Sequence, residues 1–323
     1  MMNTISANTT ISNGQKGAED YILALYNVFL ILSSLVGDTL ILYASFQRGA
    51  FKLHKNVVIV MRYIAVTDLT SVISGTIPAV ITWLANEWVL GDVICHIQVY
   101  IGVFSLFAGY LLVAVLTSTK FFTLKFPLRA GTWTRKMAHL VCCLPLIIPL
   151  IQSVLLILDG GDTFDSRVHL CTPGFTASFW KIAAPLFGFF MIFIPNLVVV
   201  STTILILHYA ISSAQRVHES VKWQETLAVV LTAVVYLTST LPIFVYHTAK
   251  DYITHDQTGT FHFHFYRLAY EIMGLNLISN FYIYTLMLRS FRGFLKSKIL
   301  SLYSSLQATY IPTSGNNPST GEY

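Results

Sequence analysis

An all-α membrane protein, a seven-transmembrane helix bundle closed by a short amphipathic helix, is the fold class this sequence predicts. Seven apolar stretches lie near 21–46, 57–86, 94–119, 136–158, 178–208, 223–249 and 266–288. Each can cross a hydrocarbon core of about 30 Å, which takes about 20 helical residues. Hydrophobic residues make up 54% of the 323 and charged residues 11%. Soluble domains carry roughly 25% charged residues, so a soluble form of this chain would expose large apolar patches. The basic residues are also segregated along the chain in the way that orients a membrane protein.

Taken in order, residues 1–20 form a polar tail with one glycosylation sequon, Asn8-Thr9-Thr10. It lacks an apolar core followed by a small-residue cleavage site, so it does not read as a cleaved signal peptide, and the first span is expected to act as the insertion signal. The spans then fill 21–288 as one domain with no internal repeat. The first carries Asp38 and the second Asp68; the third follows Cys95 and ends at Thr119-Lys120-Phe121. The fourth contains Cys142 and Cys143, read as packing residues. The fifth holds Pro195, the sixth Pro242, and the seventh Asn276, Asn280 and Tyr284. Over 289–303, Phe291, Phe294, Leu295, Ile299, Leu302 and Tyr303 interleave with Arg292, Lys296 and Lys298, the pattern of a helix lying on a membrane surface. The tail 304–323 is rich in Ser, Thr, Gly and Pro and is predicted to be disordered.

With the N-terminus outside, the inner loops and tail hold Arg48, Lys52, Lys55, Lys120, Lys125, Arg129, Arg135, Lys136, Arg216, Lys222, Arg289, Arg292, Lys296 and Lys298. The outer segments hold only Lys16, Arg167 and Lys250. Positive charge stays cytoplasmic, so the expected topology has the amino end extracellular and the carboxyl end cytoplasmic. The net charge of +5 then describes an inner face meeting anionic lipid, not a nucleic-acid surface.

These spans resemble the rhodopsin-like G-protein-coupled receptor family over roughly 20–300. The resemblance rests on Gly37-Asp38-Thr39-Leu40, Ile64-Ala65-Val66-Thr67-Asp68-Leu69, Trp88 with Gly91 and Cys95, Thr119-Lys120-Phe121 in place of Asp-Arg-Tyr, Phe126-Pro127-Leu128, Pro195, Pro242, Asn280-Phe281-Tyr282-Ile283-Tyr284 and Ser290-Phe291-Arg292. Phe281 stands where the family has proline. The fourth span lacks the usual Trp, and Tyr236, Thr240 and Thr203 replace the family's Phe, Trp and Tyr. The resemblance implies a plasma-membrane receptor, not an enzyme, that senses an extracellular ligand, activates a heterotrimeric G protein and is recruited to arrestin through tail phosphorylation at residues such as Ser301, Ser304 and Ser305. It also implies a disulfide between Cys95 and Cys171. The rival classes are a transporter or channel using Asp38 and Asp68, and a receptor-shaped protein that does not signal.

Carried over by position, the ligand pocket would be lined by Gly102, Val103, Leu106, Phe187, Met191, Phe244, His247, Tyr270 and Glu271. Gly102 stands where amine receptors carry an acid and Gly274 where opsins carry the retinal lysine, which excludes both modes. A peptide or an apolar small molecule fits. Arg267 could pair with Glu271. The activation core comprises Asp38, Asp68, Asn276, Asn280, Tyr284, Pro195 and Pro242. Intramembrane carboxyls are expensive and usually functional. Either the two acids share a proton within a polar cluster, or they bind a cation, with sodium at Asp68 the family's choice; no other cofactor is expected. Gly109 and Leu277 replace the usual hydroxyl ligands. G-protein coupling would fall on Thr119, Lys120, Phe121 and Lys222. Because Lys222 holds the sixth-helix position that usually carries an acid, no ionic latch to Lys120 is expected. His247, His255, His262 and His264 crowd the third outer loop as solvated residues or a metal or proton sensor.

Overall fold

The structure is a computed structural model that describes the backbone of residues 18–47, 49–85, 87–159, 163–165, 170–172, 178–214, 220–253 and 259–310, with side chains described over 21–47, 49–85, 87–155, 171, 186–212, 223–246 and 265–307. Asn8, His255, the side chains of Lys222, His247, His262 and His264, and the tail beyond 310 lie outside the described residues; the backbone of His262 and His264 is helical.

Helix α1 (Ala18–Phe46) forms the first span. The second is α2 (Lys55–Ser71), a π-helical turn (Val72–Thr76) and α3 (Ile77–Ala85). The third is α4 (Gly91–Lys125), followed by the short inner-loop helix α5 (Pro127–Thr132). The fourth is α6 (Arg135–Asp159), the fifth α7 (Ser178–Ala214) and the sixth α8 (Ser220–Ile253). The seventh is two stacked helices, α9 (Gly259–Gly274) and α10 (Asn276–Met287). Helix α11 (Arg289–Tyr310) follows. Among the described residues, six helical spans are long and apolar enough to cross a bilayer, the second counted across its π turn. The seventh span is interrupted at Leu275. The chain is thus a multi-pass helical membrane protein. Two strands the hydropathy pattern does not predict, β1 (Thr163–Asp165) and β2 (Leu170–Thr172), pair antiparallel in the second outer loop with Phe164 opposite Cys171.

Burial follows a lipid solvent. Large side chains such as Leu25, Leu32, Ile73, Leu144 and Ile204 face outward and are exposed in the isolated chain, while Ala44, Ala108, Ala233 and Val199 are fully buried between helices. Hydrocarbon offers no hydrophobic drive for helix pairing, so small residues at crossings supply close packing instead. Helix α4 is the hub, touching α2, α6, α7 and α8; α1 packs on α2 and α10. One of the two tightest approaches is at Gly37, where an added Cβ would stand 2.7 Å from both Cβ and Cγ of Phe281. The absent side chain at Gly37 is what admits the phenyl ring that replaces the family's proline.

Backbone irregularities have local causes. The π turn precedes Pro78, whose ring and missing N–H disturb the preceding helical turn. In the seventh span the break falls at Gly274-Leu275, where the Leu275 N–H donates to Ile272 O (3.1 Å) and the Leu275 carbonyl accepts from both Ile278 (3.3 Å) and Ser279 (3.0 Å). Phe281 leaves the helix intact at its own position. Gly91 takes φ +78° at the start of α4, a left-handed conformation glycine adopts without strain. Its carbonyl accepts from Trp88 Nε1 at 2.9 Å, so the Trp-x-x-Gly spacing is a closed loop that delivers Cys95. Helix α11 runs to Tyr310, so residues 304–310, expected to be disordered, are helical. Its onset is fixed by Phe51 of the first inner loop, stacked on Phe291 (4.9 Å, 13°) and edge-on to Tyr284 (6.4 Å).

Candidate functional site

Three groups of side chains occupy the bundle at different depths. At the outer end, Cys95 and Cys171 form a disulfide with Cα atoms 5.4 Å apart. It ties the hairpin to the top of α4, and the Cys171 N–H donates to Gln98 Oε1 at 3.1 Å. Gln98, which the sequence did not single out, is 4% exposed. Below it, nothing lies within 4 Å of where a Cβ would stand on Gly102. Val103 and Leu106 are half-buried, Met191 is buried and Phe187 exposed. Phe244 lies 6.1 Å from Phe189, which stacks on Phe193. Glu271 departs from the pocket reading. It turns toward α1, where Asn27 Nδ2 donates to both carboxylate oxygens at 3.0 Å and Tyr26 OH donates to the Glu271 carbonyl at 2.9 Å. The carboxylate, also attracted by Arg267, clamps the first and seventh spans together.

At mid-depth, Asp38 is fully buried on α1 and accepts from Ser34 Oγ at 2.5 Å through Oδ2. Its Oδ1 has no hydrogen-bond partner. Asp68 on α2 accepts from Asn280 Nδ2 at 3.0 Å. The two carboxyls are near enough to repel. Asn276 does not join them as the sequence reading placed it; its Oδ1 accepts from Ser239 Oγ of α8 at 2.8 Å. The two asparagines of α10 thus reach different helices, one to α2 and one to α8. Tyr110 and Tyr236 meet edge to face at 5.3 Å in the buried middle of the bundle, supplying aromatic bulk where Thr240 replaces a larger residue. A sodium ion would find oxygen on Asp68 and on Asn280 Oδ1, but Gly109 and Leu277 contribute none. Among the described residues no group of three or more His, Cys, Asp or Glu could hold a metal.

At the inner end, Thr119 and Lys120 are 3% and 5% exposed. Lys120 Nζ lies 3.4 Å from Glu225 Oε2 of α8. This overturns the expectation that no latch can form. The acid sits one helical turn after Lys222, on the same face (i, i+3), so the contact is displaced rather than lost. Lys120 also stands near His54, which caps α2 by accepting from the Asn56 N–H (3.4 Å). Burial, then Lys55 and Lys120, hold the His54 imidazole below its usual range. Phe121 packs under Lys125 Nζ at 5.5 Å. On α5, Leu128 is 88% exposed, beside Phe126, Lys125 and Arg129. Glu225 is the inner residue sequence reasoning missed; Leu128 entered there only as the last residue of the Phe126-Pro127-Leu128 motif.

Compared with known proteins, residues 37–284 match the family described as 7 transmembrane receptor (rhodopsin family). The octopressin receptor of Octopus vulgaris is 27% identical over 138 residues, which is 41% of this chain. That match spans 31% of the relative's length.

Proposed function

Because the chain belongs to the rhodopsin family of seven-transmembrane receptors, we propose that it is a plasma-membrane receptor, amino end outside, that answers an extracellular ligand by activating a heterotrimeric G protein. The observation that carries this reading is the Lys120–Glu225 contact joining α4 to α8 at the inner end. A bundle with two packings needs an element whose equilibrium a ligand biases. This ion pair is such an element: closed, it ties the third span to the sixth; open, it frees an inner cleft beside Lys120. Leu128, a bare apolar side chain flanked by Lys125 and Arg129, gives a partner protein an anchor next to that cleft. Arrestin recruitment through the Ser- and Thr-rich tail belongs to the same proposal.

The ligand is proposed to be a peptide. Gly102 stands where amine receptors carry an acid, and among the described residues Glu271 turns toward Asn27 of α1, so the salt bridge by which amines are usually held has no counterpart at Gly102. A partial relative carries the name octopressin receptor, and the largely apolar residues mapped to the pocket suit the hydrophobic end of a peptide. The test is nucleotide exchange on purified G proteins added to membranes carrying the receptor, with and without pooled peptides, beside an ion-flux assay on the same vesicles. Peptide-stimulated exchange without flux supports the reading. Flux without exchange assigns a transporter or channel, and neither, in a correctly folded protein, assigns a receptor-shaped protein that does not signal.

A further inference from the structure

We propose that the inner end of the crevice between α2 and α6 binds an anionic glycerophospholipid, with its phosphate on Arg135 and Lys136 and an ester oxygen on His139. Three polar side chains meet on this outward face, where only lipid is available as solvent. Tyr63 OH of α2 lies 3.1 Å from His139 Nδ1 and 3.2 Å from Cys143 Sγ of α6. His139 and Cys143 are both exposed, although the sequence reading took Cys143 for a packing residue. A phenol has one proton, so Tyr63 accepts from one neighbour and donates to the other. With the Tyr63 hydroxyl donating to Nδ1 and accepting from the Cys143 thiol, Nε2 carries the ring proton and can donate to an oxygen alongside. Polar atoms facing hydrocarbon without partners are costly, and a lipid that brings oxygen to this depth offsets the cost.

The spacing along α6 matches a phospholipid from headgroup to chain. Arg135, His139 and Cys143 recur every fourth residue on one ridge, with Lys136 and Leu140 beside them. At about 1.5 Å per residue, His139 sits about 6 Å deeper than Arg135, the step from phosphate to glycerol esters. Beyond it, Leu140, Leu144, Ile147 and Ile151 continue as an exposed apolar track for an acyl chain. Charge complementarity selects the headgroup. Arg62 of α2 lies near enough to Arg135 to repel it and is itself held by Ser45, through Nε to Oγ (2.8 Å) and Nη2 to the carbonyl, and by Phe46, whose ring centroid is 4.0 Å away. Among the described residues, the carboxylate at the inner helix ends, Glu225, is paired with Lys120. Among the described residues the positive charge around Arg135 therefore has no protein counter-ion there.

The test is native mass spectrometry of the full chain in detergent, with phosphatidylserine or phosphatidylcholine of the same acyl chains added. The expected result is preferential retention of phosphatidylserine. The R135Q/K136Q variant should lose retention by about 25-fold, at about 5-fold per removed charge, and H139Q or Y63F should reduce it a few-fold. K296Q/K298Q, with the same loss of charge on α11, should reduce it far less. Glycerophosphoserine, the headgroup without chains, should not compete. Equal retention of both lipids, an equal loss in K296Q/K298Q, or competition by the free headgroup would each overturn the site, the last by assigning an anion site that does not need a lipid.

Discussion

Replacing Glu225 with glutamine removes the charge that holds Lys120 while keeping the side chain's shape. The Lys120 and Glu225 side chains are 6% and 15% exposed and their charged atoms are 3.4 Å apart. At an effective dielectric of about 20, unit charges at that separation attract by ~5 kcal/mol. Most of this is offset, because forming the contact takes both groups from water and because lysine can snorkel to the inner surface when released. A net bias of about 1–2 kcal/mol toward the closed packing remains, and each 1.4 kcal/mol is about tenfold in the closed-to-open ratio. The expected effect of Glu225→Gln is therefore a rise of about 5- to 30-fold in ligand-independent nucleotide exchange. Glu225→Lys, which sets two cations against each other, should exceed it, and Glu225→Asp should fall between wild type and Glu225→Gln. The assay is exchange on purified G protein with receptor surface levels matched. If the basal rates of the three variants equal wild type, or rank in another order, the contact is not a latch.

Other perturbations test the packing and the polar centre. Gly37→Ala places a methyl 2.7 Å from Phe281 Cβ and Cγ, and overpacking of this kind destabilises by about 1–3 kcal/mol; the thermal midpoint in detergent should fall by several degrees, and an unchanged midpoint would show that the first and seventh spans are not that close. Asp38→Asn keeps an acceptor for Ser34 Oγ and replaces a fully buried carboxyl, costly to desolvate, by a neutral group of the same shape, so the midpoint should rise by a few degrees, on the order of 1 kcal/mol. A fall, together with a sodium-dependent midpoint in the wild type, would assign a bound cation instead. His54 is held below its usual imidazole range by burial, Lys55 and Lys120, so the unfolded chain binds the extra proton and stability drops as pH falls below about 6.5. His54→Asn retains a side-chain acceptor at the cap and should flatten that acid-side loss; parallel pH–stability curves would contradict the assignment.

The spans were legible because a lipid solvent writes itself into composition: a run that faces hydrocarbon tolerates few charges, whatever its neighbours are. Trp88, Gly91 and Cys95 were legible for a local reason, since the indole bonds a glycine carbonyl three residues away. The contacts that give the site its character join residues far apart in sequence. Nothing near Glu271 indicates that Asn27 will bind its carboxylate, and nothing near Phe281 indicates that Gly37 will receive its ring. Glu225 escapes a motif because a motif marks one position, whereas a carboxylate three residues on, on the same helical face, reaches the same partner. The break at Leu275 was hidden because a glycine in an apolar run carries no hydropathy signal. Cys143 and His139 read as ordinary members of an apolar helix until the position of α2 put a tyrosine hydroxyl between them.

The most direct measurement of the account is the distance between the inner ends of α4 and α8. Spin labels at Lys125 and at Trp223, which is exposed, on a background in which Cys143 is replaced by serine, report it by pulsed electron resonance. Wild type should show one short distance, Glu225→Lys a second and longer one, and added G protein should enrich the longer distance in both. A single distance that neither the substitution nor the G protein moves would contradict the claim that Lys120 and Glu225 hold a receptor closed.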